Sequence, residues 1–159
     1  MGTLTELGSA AVPPIGEGDH ARGEGPATIA YLDLACPHCA AEWPKLRAEP
    51  VRLCFRHFPL ASKRPRAPAL HAAAEAAALQ REEAFWEMVD SIYADQGRQD
   101  DPHIWERAES LGLELARFDA DRRSAAVAGR VRRDFESGIR AGVTGTPAYF
   151  TAGQQSSSR

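Results

Sequence analysis

Short apolar runs bounded by proline alternate along this chain with long stretches whose apolar residues recur at helical spacing. Ala27 to Asp33 is short, mostly apolar and carries β-branched and aromatic residues, the pattern of a strand buried on both faces. A turn begins at Asp33. Pro37 suits the first turn of a helix, and His38 to Trp43 carries helix formers up to Pro44, which is expected to kink or interrupt it. A second strand is predicted over Val51 to Phe58, between Pro50 and Pro59, with Val51, Leu53 and Phe55 alternating against Arg52, Cys54 and Arg56. Two strands separated by a helical segment imply a parallel, right-handed crossover.

From Pro59 the period changes to that of helices. Ala67 to Gln80, Ala84 to Ala94 (with Phe85, Met88, Val89 and Ile92 on one face) and His103 to Leu111 read as helical, Asp101-Pro102 as a helix start, and Ala116 to Asp121 as a short turn. A longer helix is predicted from about Ser124 to Ala141, its inward stripe formed by Val127, Val131, Phe135 and Ile139. Gly142 ends it. Val143 to Pro147 is a breaker-rich loop, and Ala148 to Thr151 reads as one more strand. The sum is an α/β domain over residues 27–152 with a helical insertion at about 60–122. An extended leader over 1–26 precedes it, and a polar tail over 153–159 without periodicity is expected to be disordered.

Length and composition narrow the function. A chain of 159 residues has room for one ordinary domain. With 19 basic against 22 acidic residues there is no global field to hold nucleic acid or an anionic membrane, so neither is an expected partner. The first 25 residues lack a basic segment followed by an apolar run, and no stretch reaches a membrane-spanning length, so a soluble cytoplasmic protein is expected. Three cysteines, Cys36, Cys39 and Cys54, are too few for a disulfide framework, which leaves chemistry or packing.

Cys36-Pro37-His38-Cys39 follows a strand and opens a helix, the context in which a C-x-x-C pattern reads as redox-active. Unpaired N–H groups at the helix N-terminus favour a thiolate at Cys36, with His38 able to add charge or a hydrogen bond. Cys39, one turn on, is placed to resolve a mixed disulfide on Cys36. No bound cofactor is needed. The pair is also half of a zinc site, but no second C-x-x-C or close histidine pair completes it. Cys54 reads as a packed strand residue, His57, His71 and His103 as isolated structural or solvated histidines, and Trp43, Trp86 and Trp105 as packing residues. The arginines from Arg117 to Arg140 alternate with acids and read as a solvated face.

These residues resemble the thioredoxin superfamily, more narrowly its DsbA-like branch. The resemblance rests on Cys36-Pro-His-Cys39, on Phe55-Arg-His-Phe-Pro-Leu60, on Phe85-Trp-Glu-Met88 and on Val143-Thr-Gly-Thr-Pro147. It implies a thioredoxin-like fold with a helical insertion and a cis-proline loop that sets Thr146 and Pro147 against the cysteines to pair with a substrate strand. The implied activity is disulfide exchange with protein or peptide thiols and a further redox partner. Two departures stand out. Ala30 occupies the position six residues before the first cysteine where the superfamily often has a buried acid, with Asp33 nearby but offset. The second departure is the tail: Gln154 to Arg159 lacks the family's partner strand and closing helix. An exposed sheet edge open to self-association and an uncovered sheet face follow as expectations. The alternatives are a zinc-binding or interaction module without turnover, and an inactive truncated fragment.

Overall fold

The structure, a computed structural model of the chain, describes residues 12–151 and the backbone of 154–157. Its strands are β1 (His20–Arg22), β2 (Ala27–Leu32), β3 (Arg52–His57), β4 (Ala148–Thr151) and β5 (Gln154–Ser157). Its helices are α1 (Pro37–Ala48), α2 (Ala67–Gln80), α3 (Glu82–Ala94), α4 (Asp101–Ser110), α5 (Leu115–Arg122) and α6 (Ala125–Arg140). The five strands form one sheet in the order β1-β3-β2-β4-β5. Because α1 carries the chain across, β2 and β3 run parallel, from Ala27 opposite Arg52 to Leu32 opposite His57. All other pairs are antiparallel.

One sheet face, with Ala30, Leu32, Leu53 and Phe55, packs under Cys39, Trp43 and Leu46 of α1 and under the alanine-rich α2 and aromatic α3. Small residues on α2 let α3 pack closely against it, while Phe85, Trp86, Met88 and Val89 of α3 fill the core beside it. On the other face Ile29, Tyr31, Cys54 and Phe150 are covered by Phe58, Val143 and the partly buried Val12, Ile15 and Phe135. There α6 approaches very closely at Gly138. A Cβ at that position would stand 2.7 Å from two ring carbons of Phe58. Gly142 then takes φ of +90°, the left-handed conformation that ends α6 and starts the loop to β4.

The elements depart from the sequence reading in identifiable places. The tail expected to be disordered supplies β5, which pairs Gln154 with Thr151 through Ser157 with Ala148. Backbone hydrogen bonding to the free edge of β4 recruits a segment with little strand propensity of its own, and propensity was all the sequence offered. Residues 152, 153, 158 and 159 lie outside the described residues, as do 1–11 of the expected leader. The leader also contains β1, three residues pairing antiparallel with β3, too short for a periodicity to register. The alternation read in β3 implied a wet face, yet Cys54 is fully buried and Arg56 is 3% exposed, because Arg56 is paired with Asp19 beneath the leader. The face expected to be uncovered is likewise closed at Ile29, Tyr31 and Phe150. In α6 a four-residue repeat drifts around a 3.6-residue helix, so Ile139 ends 53% exposed while Asp134, Ser137 and Gly138 turn inward. Trp105 is 43% exposed and covers surface rather than core. Pro44 does not interrupt α1, which continues to Ala48.

Candidate active site

The site is a tight turn between β2 and α1. Asp33 opens it: its side chain accepts from the N–H of Ala35 and of Leu60, and its carbonyl accepts from the N–H of Cys36. Cys36 is the residue preceding α1, with Pro37 in the first helical position where a missing N–H costs nothing. A hydrogen bond from the Cys39 thiol, then the N–H groups of Cys39 and His38 and the contact with Thr146, outweigh burial and bring the Cys36 thiol down to about 5. Cys39 is fully buried, and that burial, reinforced by the neighbouring sulfur, drives its thiol far up. The two sulfurs are therefore unequal, one ionised at neutral pH and one protonated.

Thr146 and Pro147 stand across from the turn. The Thr146 carbonyl oxygen is 3.8 Å from the Cys36 sulfur, and the Thr146–Pro147 peptide bond is cis. Strand pairing explains how residues 110 positions apart meet: β4 runs antiparallel to β2, which brings its entering loop to the end of the sheet where α1 begins. His38 is exposed on the first turn of α1, and its backbone N–H helps bring the Cys36 thiol down. Cys54 lies on the opposite sheet face, its thiol pushed up by burial.

The helical insertion frames this turn through groups the sequence did not single out. Tyr93 donates its hydroxyl to the Asp33 carbonyl at 3.0 Å. Gln96, just after α3, donates to the carbonyls of Leu34 and Cys36 at 2.8 and 2.9 Å. The Leu34 N–H donates to Nε2 of His71 on α2 at 2.9 Å. Trp43 of α1, its ring against Trp86 and Tyr93 of α3, donates to Asp90, which also takes two hydrogen bonds from Arg47.

His57 and His71 are not isolated. The Nδ1 atoms of His71 and His57 are 2.7 Å apart, His57 Nε2 is 2.7 Å from Glu75 Oε2, and Glu75 Oε2 also meets His20 Nε2 at 2.5 Å. His20 Nδ1 reaches Glu82 at 2.8 Å. These are hydrogen-bond spacings; ligands sharing a tetrahedral zinc at 2.0–2.1 Å would stand about 3.3 Å apart. Burial brings His71 down to about 4. Burial acts against ionisation of Glu75 and of His20 as well, but their mutual hydrogen bond, with His57 and Glu82 on either side, holds Glu75 well below the usual carboxylate range and raises His20. His57 lies in the Phe55-Arg-His-Phe-Pro-Leu60 segment and His71 in the alanine-rich α2, but only the fold brings His20, from 37 residues upstream of His57, beside them. His103 is a surface residue next to the α4 cap Asp100.

Residues 58–158 match the DSBA-like thioredoxin domain, about two thirds of the chain. The chain belongs to that family. The DSBA-like match begins after the cysteine turn, so the turn's own chemistry rests on its residues and geometry. Among solved structures, the thiol-disulfide exchange protein alpha-DsbA2 of Wolbachia pipientis superposes with a TM-score of 0.84 at 15% identity, covering 96% of this chain and 87% of that one. BdbD of Bacillus subtilis gives 0.77 at 15% identity, with 92% and 88% covered. These likenesses establish a shared DsbA-like fold. Among curated proteins, Na(+)/H(+) antiporter NhaA 3 of Salinispora tropica is 39% identical over 155 residues, 91% of this chain and 23% of that protein. The chain spans about a quarter of the length of the curated relatives it matches. None of the helices among the described residues is long and apolar enough to cross a membrane.

Proposed function

We propose that this domain exchanges disulfides with protein or peptide thiols through Cys36 and Cys39. The observation that carries the reading is the inequality of the two sulfurs: an ionised Cys36 at the head of α1 and a protonated, buried Cys39 behind it. In the reducing direction the Cys36 thiolate attacks a substrate disulfide and one substrate sulfur leaves as thiolate. Cys39 then attacks Cys36, the Cys36–substrate bond breaks, and the second substrate sulfur leaves. Two electrons pass to the substrate and the chain is left with a Cys36–Cys39 disulfide; the reverse sequence oxidises a substrate dithiol. Thr146 and Pro147 would line the substrate's approach, with the Thr146 backbone offering strand-like pairing. The zinc alternative is disfavoured because, among the described residues, no His, Cys or carboxylate joins Cys36 and Cys39 in a ligand cluster.

The similarity to antiporter-named proteins gives this domain a setting beside a membrane transporter as a further reading, in place of a free cytoplasmic protein. A glutathione redox titration read by acid-quenched alkylation and mass, with Cys36→Ser as control, tests the activity. One two-electron transition lost in the control supports it. Absence of any Cys36–Cys39 disulfide across the range rejects it.

A further inference from the structure

Arg130, Arg133, Ser137 and Arg140 recur along α6 at intervals of three and four residues, so they share one side of that helix. The leader from Pro13 to Asp19 lies across from them. Between the two is a cavity of about 450 Å³, on the sheet face away from α1, with the 3% exposed Arg56 at its floor. Its walls are fixed. Arg56 gives Asp19 two hydrogen bonds, at 3.0 and 2.9 Å, and one each to the Pro14 carbonyl and the Tyr31 hydroxyl. Asp19 also accepts the Gly16 N–H, which closes a turn in the leader. Across the cavity Arg130 donates to the Gly18 carbonyl and ties the leader to α6. Arg133 reaches to the same place: its Nη2 stands 3.6 Å from where a Cβ of Gly18 would lie.

Four arginines and two aspartates line this cavity, and both acids are already committed: Asp19 to Arg56, and Asp134 to Arg130 at 2.7 Å. The side chains of Arg133 and Arg140 have no ion pair or hydrogen bond among the described residues. The buried Nη1 of Arg130 also lacks an aligned acceptor, its contact with Asp134 being an ion pair without hydrogen-bond geometry. Two uncompensated positive charges and an unused donor therefore surround one recess. On an open helix face such arginines would simply be solvated, but low-dielectric concave walls focus their field on whatever anion enters. We propose that the cavity binds a small phosphate ester, its dianionic phosphate clamped by Arg133 and Arg140 beside Arg130 Nη1 and its organic part against Pro13 and Pro14. The charge matches, since an ester phosphate carries about −1.5 to −2 at pH 7, and planar guanidinium groups pair bidentately with its oxygens. Arg133 and Arg140 stand about 10 Å apart along the helix axis, a gap that two extended arginine side chains close around one phosphate. Small-molecule sites run from about 300 to 1,000 Å³, so the volume also admits a body beyond the phosphate. Depth favours a soluble ester over a lipid headgroup, because the Arg130 and Arg56 side chains, 14% and 3% exposed, lie below the reach of a flat membrane surface. The site shares no residue with the cysteine turn and stands independently of its chemistry.

Isothermal titration calorimetry of the full chain at physiological salt, with ribose 5-phosphate and inorganic phosphate as probes and ribose and succinate as controls, tests the site. One saturable site for ribose 5-phosphate is expected, with no heat from ribose and at least tenfold weaker binding of succinate, a dianion without a phosphate. Arg133→Gln and Arg140→Gln should each weaken the ester by about tenfold or more, the worth of one charge-assisted hydrogen bond. Neither should change the urea midpoint, because neither side chain has a partner to lose among the described residues. Arg132→Gln removes the same charge from the same helix outside the cavity and should leave the affinity as it is. Absence of saturable binding of both phosphates below about 10 mM overturns the proposal. So does an affinity that Arg133→Gln and Arg140→Gln leave unchanged, one that Arg132→Gln lowers equally, or succinate binding as tightly as the ester. Flotation with phosphatidic acid vesicles in the absence of any ribose 5-phosphate binding would replace the soluble ester by a lipid headgroup and overturn the assignment as well.

Discussion

The ionised Cys36 fixes how the redox potential of the domain varies with pH. Its thiol lies at about 5 against an ordinary 9.0. Below pH 5 the reduced pair holds two protons; between pH 5 and 9 it holds one, because Cys39 is pushed far up. The midpoint potential should then fall by about 59 mV per pH unit below pH 5 and by about 30 mV per unit above it. At pH 7 the thiolate favours the reduced state by about two tenfold steps, about 2.7 kcal/mol or 59 mV, relative to the same pair with ordinary thiols. The same linkage acts on folding. A depressed pKa stabilises the reduced fold fully above pH 9, and this is lost as pH falls through 5, so the reduced form should gain stability over the disulfide form across that interval. Thiolate absorbance at 240 nm and glutathione titrations between pH 4 and 8 read both quantities. A single slope of about 59 mV per unit throughout, or absorbance rising only near pH 9, would refute the electrostatic account of the turn.

Replacing Cys39 with Ala removes the foremost group that holds Cys36 ionised, so the Cys36 midpoint should rise by about one to two units, the worth of one charge-assisted hydrogen bond, and show in the pH profile of iodoacetamide alkylation. Gly138→Ala forces a methyl into the Phe58 and Tyr31 rings and should lower the unfolding free energy in urea by about 1–3 kcal/mol without moving the Cys36 midpoint. His20, raised above 6.5, stabilises the fold fully below that value and loses its effect as pH rises through its folded value; Glu75, depressed below 4.5, stabilises above that value and loses its effect as pH falls through its own. The stability gap between wild type and His20→Gln in urea melts should therefore be widest between about pH 4.5 and 6.5 and narrow on the alkaline side.

Much of the fold was legible because its elements are long or sharply bounded. The strand, cysteine turn and helix from Ala27 to Ala48 read directly, since proline and β-branched residues mark their ends, and the insertion read from its 3.6-residue repeat. Short pairings did not read: β1 has three residues and β5 a polar sequence, and both exist because a neighbouring strand offers an edge. In the site, Cys36, Cys39 and Thr146 could be placed from local pattern and resemblance. The frame around them could not. Tyr93, Gln96 and His71 carry no motif, and their importance lies in which backbone groups they meet, a property of tertiary packing alone.

That frame changes what the helical insertion is for. Within the turn the Leu34 N–H and carbonyl have no backbone partner although Leu34 is fully buried, and each such orphan would cost about 1–3 kcal/mol. Here α2 supplies His71 to the Leu34 N–H, α3 supplies Tyr93 to the Asp33 carbonyl, and the segment after α3 supplies Gln96 to the carbonyls of Leu34 and Cys36. The same contacts fix where the Cys36 sulfur sits relative to the first N–H groups of α1, on which its ionisation depends. The insertion is thus part of the electrostatic machinery of the cysteine pair, and a substitution such as Gln96→Ala, remote from both sulfurs in sequence, should move the Cys36 midpoint upward as well as loosen the fold. Loss of stability with an unmoved midpoint in 240 nm titrations would show that the helices only cover the sheet and that α1 holds the thiolate unaided.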